Sequence, residues 1–275
     1  MTEGLGLEIT GDHLATLERC EEAPVSFRLT DTSHLPREWM TDIPARNQGS
    51  FSCCVGGGLS GCFEHRQLVE TGAFIRYSMW QAYIEAQRAC RMLGRDGGAS
   101  LAGALRAAGS VGVARNDLCQ MPNGYTTDIP PAAIADAGQH KHLGDVNYDA
   151  RNWDRMLDWI TNKDPCLFGG IWTSGLASMN ASDNIIRPKH LNVSGRRQYH
   201  CEYLCGWETV DGILCPRIRN THGERYGKNG VAVISREAWD VYMRDPNTVC
   251  LAFGDIQERE PQRRSWTESR PGDAC

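Results

Sequence analysis

Apolar and polar positions alternate differently in the two halves of the chain. Val55, Leu59, Cys62, Phe63 and Leu68 recur at roughly helical intervals over 54–69, with no proline. Four glycines, at 56, 57, 58 and 61, interrupt the run. Each costs about 1 kcal/mol in a helix relative to alanine, so the reading is a central helix whose glycines allow close backbone contact. Met79, Tyr83, Ala86, Cys90 and Leu93 predict a second helix on 78–93, ended by Gly94. Ser100 caps a third, LAGALRAAG, which ends at Gly109. Residues 120–148 are rich in Pro, Gly, Asn and Asp, and the DIPP at 128–131 marks a loop region. Trp153, Met156, Leu157 and Ile160 predict one more amphipathic helix. The apolar run PCLFGGIW at 165–172 reads as a buried strand, and short Val/Ile/Leu/Tyr/Cys-rich stretches at 199–207, 213–219, 229–235 and 248–253 read as further strands. A helical half followed by a strand-rich half predicts an α+β fold, and no internal repeat is visible.

The two ends differ from this body. Residues 1–35 are weakly patterned, and Pro24, Pro36 and Pro44 punctuate an extended approach to IPARNQGSFSCC, so 1–35 reads as an arm lying over the fold. The domain proper is expected on 36–253, with a helical lobe at about 50–120 and a β lobe at about 160–253. Residues 254–275 carry nine charged residues and little apolar content, a polar tail expected to be solvated unless assembly subunits cover it.

Composition narrows the function classes. The net charge of −5 is spread along the chain, so no basic surface for nucleic acid is expected. Glu3, Glu8 and Asp12 stand where a secretion leader needs a basic start and an apolar run of about 7–15 residues, so no leader is expected. No window reaches the roughly 18 apolar residues that span a bilayer, so no membrane partner is expected. The 12 cysteines are scattered rather than set in a dense framework, and are read as mostly reduced, buried thiols.

One cysteine stands apart. The segment Asn47-Gln48-Gly49-Ser50-Phe51-Ser52-Cys53-Cys54 delivers a thiol to the start of the central helix, where the helix dipole is expected to favour thiolate. Gln48, six residues earlier, can aim its amide beside the Cys54 N–H, and two converging donors would hold an oxyanion. His200, Cys201, Cys205, Cys215 and His222 could alternatively be read as zinc ligands, but no pair of C-x-x-C knuckles is present, so neither metal nor cofactor is expected. Gly56-Gly57-Gly58 lacks the Lys-Ser/Thr of a phosphate loop.

NQGSFSCC resembles the NQGSCGSCW of the papain-like cysteine peptidase family, with Gln48 at the oxyanion glutamine and Cys54, rather than Cys53, at the nucleophile. Asp96-Gly97-Gly98-Ala99-Ser100-Leu101 resembles the double-glycine wall of the substrate cleft. Tyr199-His200-Cys201-Glu202-Tyr203-Leu204-Cys205-Gly206-Trp207 is similar to the strand carrying the catalytic histidine in a His-Ala-Val-x-x-x-Gly-Tyr setting. Ile218-Arg219-Asn220-Thr221-His222-Gly223, continuing to Tyr226-Gly227 and Gly230-Val231, resembles I-x-N-S-W-G-x-x-W-G-x-x-G-Y. His200 lies 146 residues after Cys54, within the spacing characteristic of the family. The four segments occur in family order from about Leu35 to Phe253.

The resemblance implies a two-lobed papain-like fold, with a helical N-terminal lobe, a β-rich, barrel-like C-terminal lobe and a cleft between them. It further implies a peptidase acting on polypeptide substrates, with Cys54, His200, Asn220 and Gln48 catalytic. Gly97, Gly98, Ala99, Trp172, Cys201 and His222 would bind substrate; Ala99, Trp172 and Cys201 would line the main specificity pocket. Three departures stand out: Phe51 replaces a cysteine that forms a disulfide, Val55 replaces a tryptophan, and His222 replaces the tryptophan that shields the Asn–His bond. The lost disulfide suits a reducing, cytoplasmic compartment, with packaging in a virion as a variant. The arm is also much shorter than the family's inhibitory pro-domain. Two other readings accompany the peptidase: a weak or inactive peptidase-like component of a bacterial or phage assembly, and a thiol hydrolase of peptidoglycan or isopeptide bonds.

Overall fold

The computed structural model describes residues 6–9, 21–22, 35–142, 148–252 and 256–257. Helix α1 (Cys54–Thr71) ends where Gly72 turns left-handed at φ 72°. Ser78 caps α2 (Met79–Ala89), accepting a hydrogen bond from the Gln81 N–H. This helix stops four residues before the predicted end, because the chain turns at Arg91 (φ 59°) ahead of Gly94. Ser100 caps α3 (Leu101–Ser110) in the same way. Helix α4 (Pro131–Ala137) lies inside the segment read as loop. Its proline occupies the first turn, where a missing N–H breaks no helical bond, so a residue read as a breaker starts the element. Helix α5 (Trp153–Thr161) is capped by Asn152, and α6 (Ser174–Ala177) is a single turn capped by Thr173. Helix α7 (Arg236–Met243) has no counterpart in the sequence reading, although its Ser235 cap and buried Ala238, Trp239 and Tyr242 follow helical spacing.

The strands are β1 (Glu21–Glu22), β2 (Glu38–Met40), β3 (Lys141–His142), β4 (Tyr148–Asp149), β5 (Cys166–Trp172), β6 (Ile185–Ile186), β7 (Gln198–Val210), β8 (Ile213–Arg219), β9 (Val231–Ile234), β10 (Val249–Ala252) and β11 (Ile256–Gln257). Nine of them form one sheet in the order β1-β4-β10-β5-β7-β8-β9-β6, with β2 also paired to β7. β3 and β11 form a separate antiparallel pair, the described part of the tail segment.

The two faces of β7 serve two cores. Cys201, Tyr203 and Cys205 face the helical core with Leu59, Cys62 and Phe63 of α1. Leu204 faces the barrel core with Phe168 and Ile218. A bulge between Leu204 and Gly206 then resets the alternation, so that Trp207 joins the barrel core although it shares the parity of Cys205. The α+β fold is therefore two lobes sharing β7. Helix α1 seats between them through its glycines: a Cβ at Gly56 would lie 2.2 Å from the Met79 carbonyl oxygen, and one at Gly61 2.2 Å from the Tyr203 ring. The glycines cost helix propensity and permit this close approach. A buried ion pair between Arg46 and Glu64 ties the chain entering α1 to the helix itself. Arg46 also donates to Ser60 Oγ (2.8 Å), and Glu64 accepts from the Tyr77 N–H (3.0 Å). Among the described residues, no helix is long and apolar enough to cross a membrane.

Candidate active site

The chain approaches α1 under restraint from both lobes. Gln48 N–H donates to the Thr221 carbonyl (2.8 Å), Gly49 turns left-handed at φ 61°, and Ser52 N–H donates to the Asp96 carboxylate (2.9 Å). These contacts deliver Cys54 as the first residue of α1, facing β7. Its neighbour Cys53 packs into the helical core.

β7 and β8 supply the other side. His200 Nε2 is 2.9 Å from Asn220 Oδ1, while its Nδ1 is buried and has no hydrogen-bond partner among the described residues. The N–H of Cys201, the next residue, donates to Cys54 Sγ at 3.4 Å. Thus Cys54 of α1 touches β7 one residue after His200, with Asn220 bonded to the imidazole from behind. Two aromatic rings enclose the imidazole: His222 stacks on it (centroids 4.8 Å apart, planes 20° apart) and Trp172 lies against it at 4.5 Å. The Asn220 amide is held at both ends, its oxygen by the Thr221 N–H (2.6 Å) and its nitrogen by the Glu202 carboxyl. Glu202 received no role from the sequence, yet it lies two residues after His200 and so on the same face of β7.

The electrostatics correct one expectation. The helix N-terminus and the N–H groups of Cys201 and Gly6 all favour a Cys54 thiolate, but burial outweighs them and pushes the thiol up to about 12. Burial, aided by the neighbouring His222, pushes His200 down to about 3. Burial thus favours a neutral thiol and a neutral imidazole over the ion pair.

The cover is the chain's own N-terminal segment. Residues 6–9 run alongside Ala99 as a parallel bridge: Ala99 N–H donates to the Gly6 carbonyl (2.8 Å) and Glu8 N–H to the Ala99 carbonyl (3.0 Å). Gly6 is pressed against Ser52, and Gly98, at φ 86°, lies against the Gly6 carbonyl. Leu7 is buried between Leu101 and Gly169. Gly98 and Ala99 thus face an extended strand, while Gly97 closes a turn onto the Arg95 carbonyl.

On β5, Gly169 and Trp172 lie on opposite faces. Alternation along β5 sends Gly169 toward Leu7 and Trp172, three positions on, toward His200. Cys201 presents its backbone to Cys54 and turns its thiol toward Gly58 on α1. Cys205 faces the helical core rather than the β lobe, and Cys215 the barrel core, so the alternative zinc ligands do not converge. Gln48 is fully buried; its amide nitrogen donates to the Phe51 carbonyl (2.7 Å) and its oxygen accepts from the Thr221 hydroxyl. Phe51, at the lost disulfide position, packs edge-on against Trp80 with centroids 4.9 Å apart.

No protein-family model and no curated protein matches the chain. Solved structures do. Xylellain, a cysteine protease from Xylella fastidiosa, superposes with a TM-score of 0.69 at 15% identity, over 94% of this chain and 96% of that one. The proCathepsin B S9 of Trypanosoma congolense gives 0.63 at 16% identity, over 93% and 87%. The cysteine protease and lectin-like domains of Cwp84, a surface-layer associated protein of Clostridium difficile, give 0.64 at 14% identity, over 92% and 61%. The fold is that of the papain-like cysteine proteases.

Proposed function

We propose that the chain is a cysteine endopeptidase that cleaves polypeptides through a Cys54 thioester. The observation that carries this reading is the imidazole of His200, held through Nε2 by Asn220 with Nδ1 left for the thiol of Cys54, whose sulfur accepts the very next N–H. In the reaction, Cys54 passes its proton to His200 Nδ1 and the sulfur attacks the substrate carbonyl carbon. The Cys54 N–H and the Gln48 amide stabilise the oxyanion. His200 returns the proton to the leaving amine as the C–N bond breaks. Water, deprotonated by His200, then attacks the thioester; the acid leaves and the thiol is restored.

Gly98 and Ala99 support a substrate bound as an extended strand, since residues 6–9 are bound to Ala99 in that form. The neutral, covered thiol equally favours a second reading, an inactive peptidase-like component of an assembly. Alkylation separates the two. With residues 1–9 deleted, Cys54 is expected to react with iodoacetamide at least tenfold faster than the other thiols, located by mass spectrometry, and His200→Ala should abolish the difference. Uniform labelling of all thiols would favour the assembly component.

A further inference from the structure

Glu202 is a carboxyl placed deep in the barrel side of β7, 4% exposed, opposite Phe168 on β5. The only hydrogen bond its side chain makes among the described residues is the one it accepts from Asn220 Nδ2. No cation faces it. Around it stand Cys54 from α1, its neighbour Cys201, Tyr226 from the segment after β8 and Tyr242 from α7, all of whose ionisation its charge opposes. Burying a carboxyl with one neutral partner is costly, and an apolar residue of similar size would fill this place at less cost. In the similar His-Ala-Val pattern the corresponding residue is indeed valine. The single partner is the residue that orients the base, which points to a role at the site rather than in the core.

A side-chain amide is nearly symmetric in shape and can present either oxygen or nitrogen to a neighbour. Only the oxygen can accept from a protonated His200 Nε2. The Thr221 N–H selects the oxygen from one end. We infer that Glu202 is a fourth member of the constellation, a positioning residue that anchors the Asn220 nitrogen and so keeps its oxygen on His200. This rests on the reading of Cys54, His200 and Asn220 as catalytic.

Protonation adds a second consequence. Burial pushes Glu202 up to about 8, with the Asn220 bond pulling the other way. Its neutral carbonyl oxygen still accepts from Asn220 below that pH, whereas above it the carboxylate repels the Cys54 thiolate. Glu202 therefore gives activity an alkaline limb.

The test compares Glu202→Gln with Glu202→Ala in the full chain, following kcat, KM and Cys54 alkylation from pH 5 to 9. Glu202→Gln keeps an acceptor for Asn220 and is expected to hold kcat within about threefold of wild type while losing the limb near pH 8. Glu202→Ala is expected to lower kcat roughly tenfold or more, with KM changed less than about twofold. In an Asn220→Ala background the Glu202→Ala loss should vanish, since the two act in series. Unchanged kcat and pH profile in both variants, or a Glu202→Ala loss that persists without Asn220, would overturn the inference while leaving the peptidase reading intact. A Cys54 that, with residues 1–9 deleted, alkylates no faster than the other thiols overturns both. Should Glu202→Ala fail to fold, the Glu202→Gln profile decides alone: a limb that stays near pH 8 refutes the role.

Discussion

His222 stands beside His200 and Trp172 in a three-ring cluster where the similar family pattern has a tryptophan, and the exchange introduces an ionisable ring. A charged His222 stacked at 4.8 Å disfavours a proton on His200 and helps to depress it. His222→Phe keeps a flat ring on the imidazole and removes the charge. The His200 titration, followed by NMR of its ring carbons, should then move upward from about 3, short of the ordinary 6.5 because burial remains. An unmoved titration would show that the coupling is absent. At this scale much was legible: Gln48, Cys54, His200 and Asn220 stand within motifs of fixed spacing, and the structure pairs His200 with Asn220, Gln48 with Thr221 and Cys54 with the residue after His200. Glu202 was missed, although it lies two residues along β7 from His200, and alternation places the two on one face. The contact of Trp172 with His200 follows from its parity on β5, which the sequence reading did not weigh.

Among elements, the segment at residues 6–9 governs the state of the site. It holds the cleft by backbone pairing with Ala99 and by burial of Leu7. It passes Ser52 so closely that a Cβ at Gly6 would lie 1.8 Å from the Ser52 carbonyl oxygen. No real Cβ tolerates that distance from backbone, so Gly6→Ala must lift the segment away. The expected result is hydration of Cys54, a fall of its thiol from about 12, and alkylation at neutral pH at least about tenfold faster than in wild type. Gly4→Ala, outside the described residues, serves as control. Equal rates in Gly6→Ala and wild type would mean that this segment does not shield the thiol. The sequence could not reveal this contact, because a four-residue strand that pairs with a loop has no periodicity of its own. Helices α1, α3 and α5 and strands β5 and β7–β10 were legible from periodicity and caps. Helices α4 and α7 were not read: a proline masked the first, and the second is only two turns long between strands.

For the whole molecule, three buried groups set how stability depends on pH. His65, bonded to Thr41 Oγ1 and the Lys163 carbonyl, and His200 are both pushed by burial from 6.5 to about 3. Each stays neutral in the folded chain while its unfolded counterpart takes up a proton below pH 6.5, so each withdraws stability as pH falls from there toward 3. Glu202 acts oppositely: it moves from 4.5 to about 8, the folded chain keeps a proton that the unfolded chain has released, and stability falls as pH rises through that window. Between pH 4.5 and 6.5 the unfolded state holds two extra imidazole protons against one on folded Glu202. The net of one proton makes stability rise with pH by about 1.4 kcal/mol per unit. Between 6.5 and 8 only the Glu202 proton remains, and stability falls at about the same slope. Above 9, buried thiols such as Cys53, Cys62 and Cys201, all raised by burial, continue the fall. The maximum is therefore expected near pH 6.5, measured by urea unfolding at half-unit intervals. Glu202→Gln removes the group among the described residues whose proton binding differs between folded and unfolded chain from pH 6.5 to 8, so its curve should rise to pH 6.5 and then stay level until the thiols ionise. A wild-type curve that stays level between pH 7 and 8 would show that Glu202 is charged in the folded chain, and that its bond to Asn220 outweighs its burial.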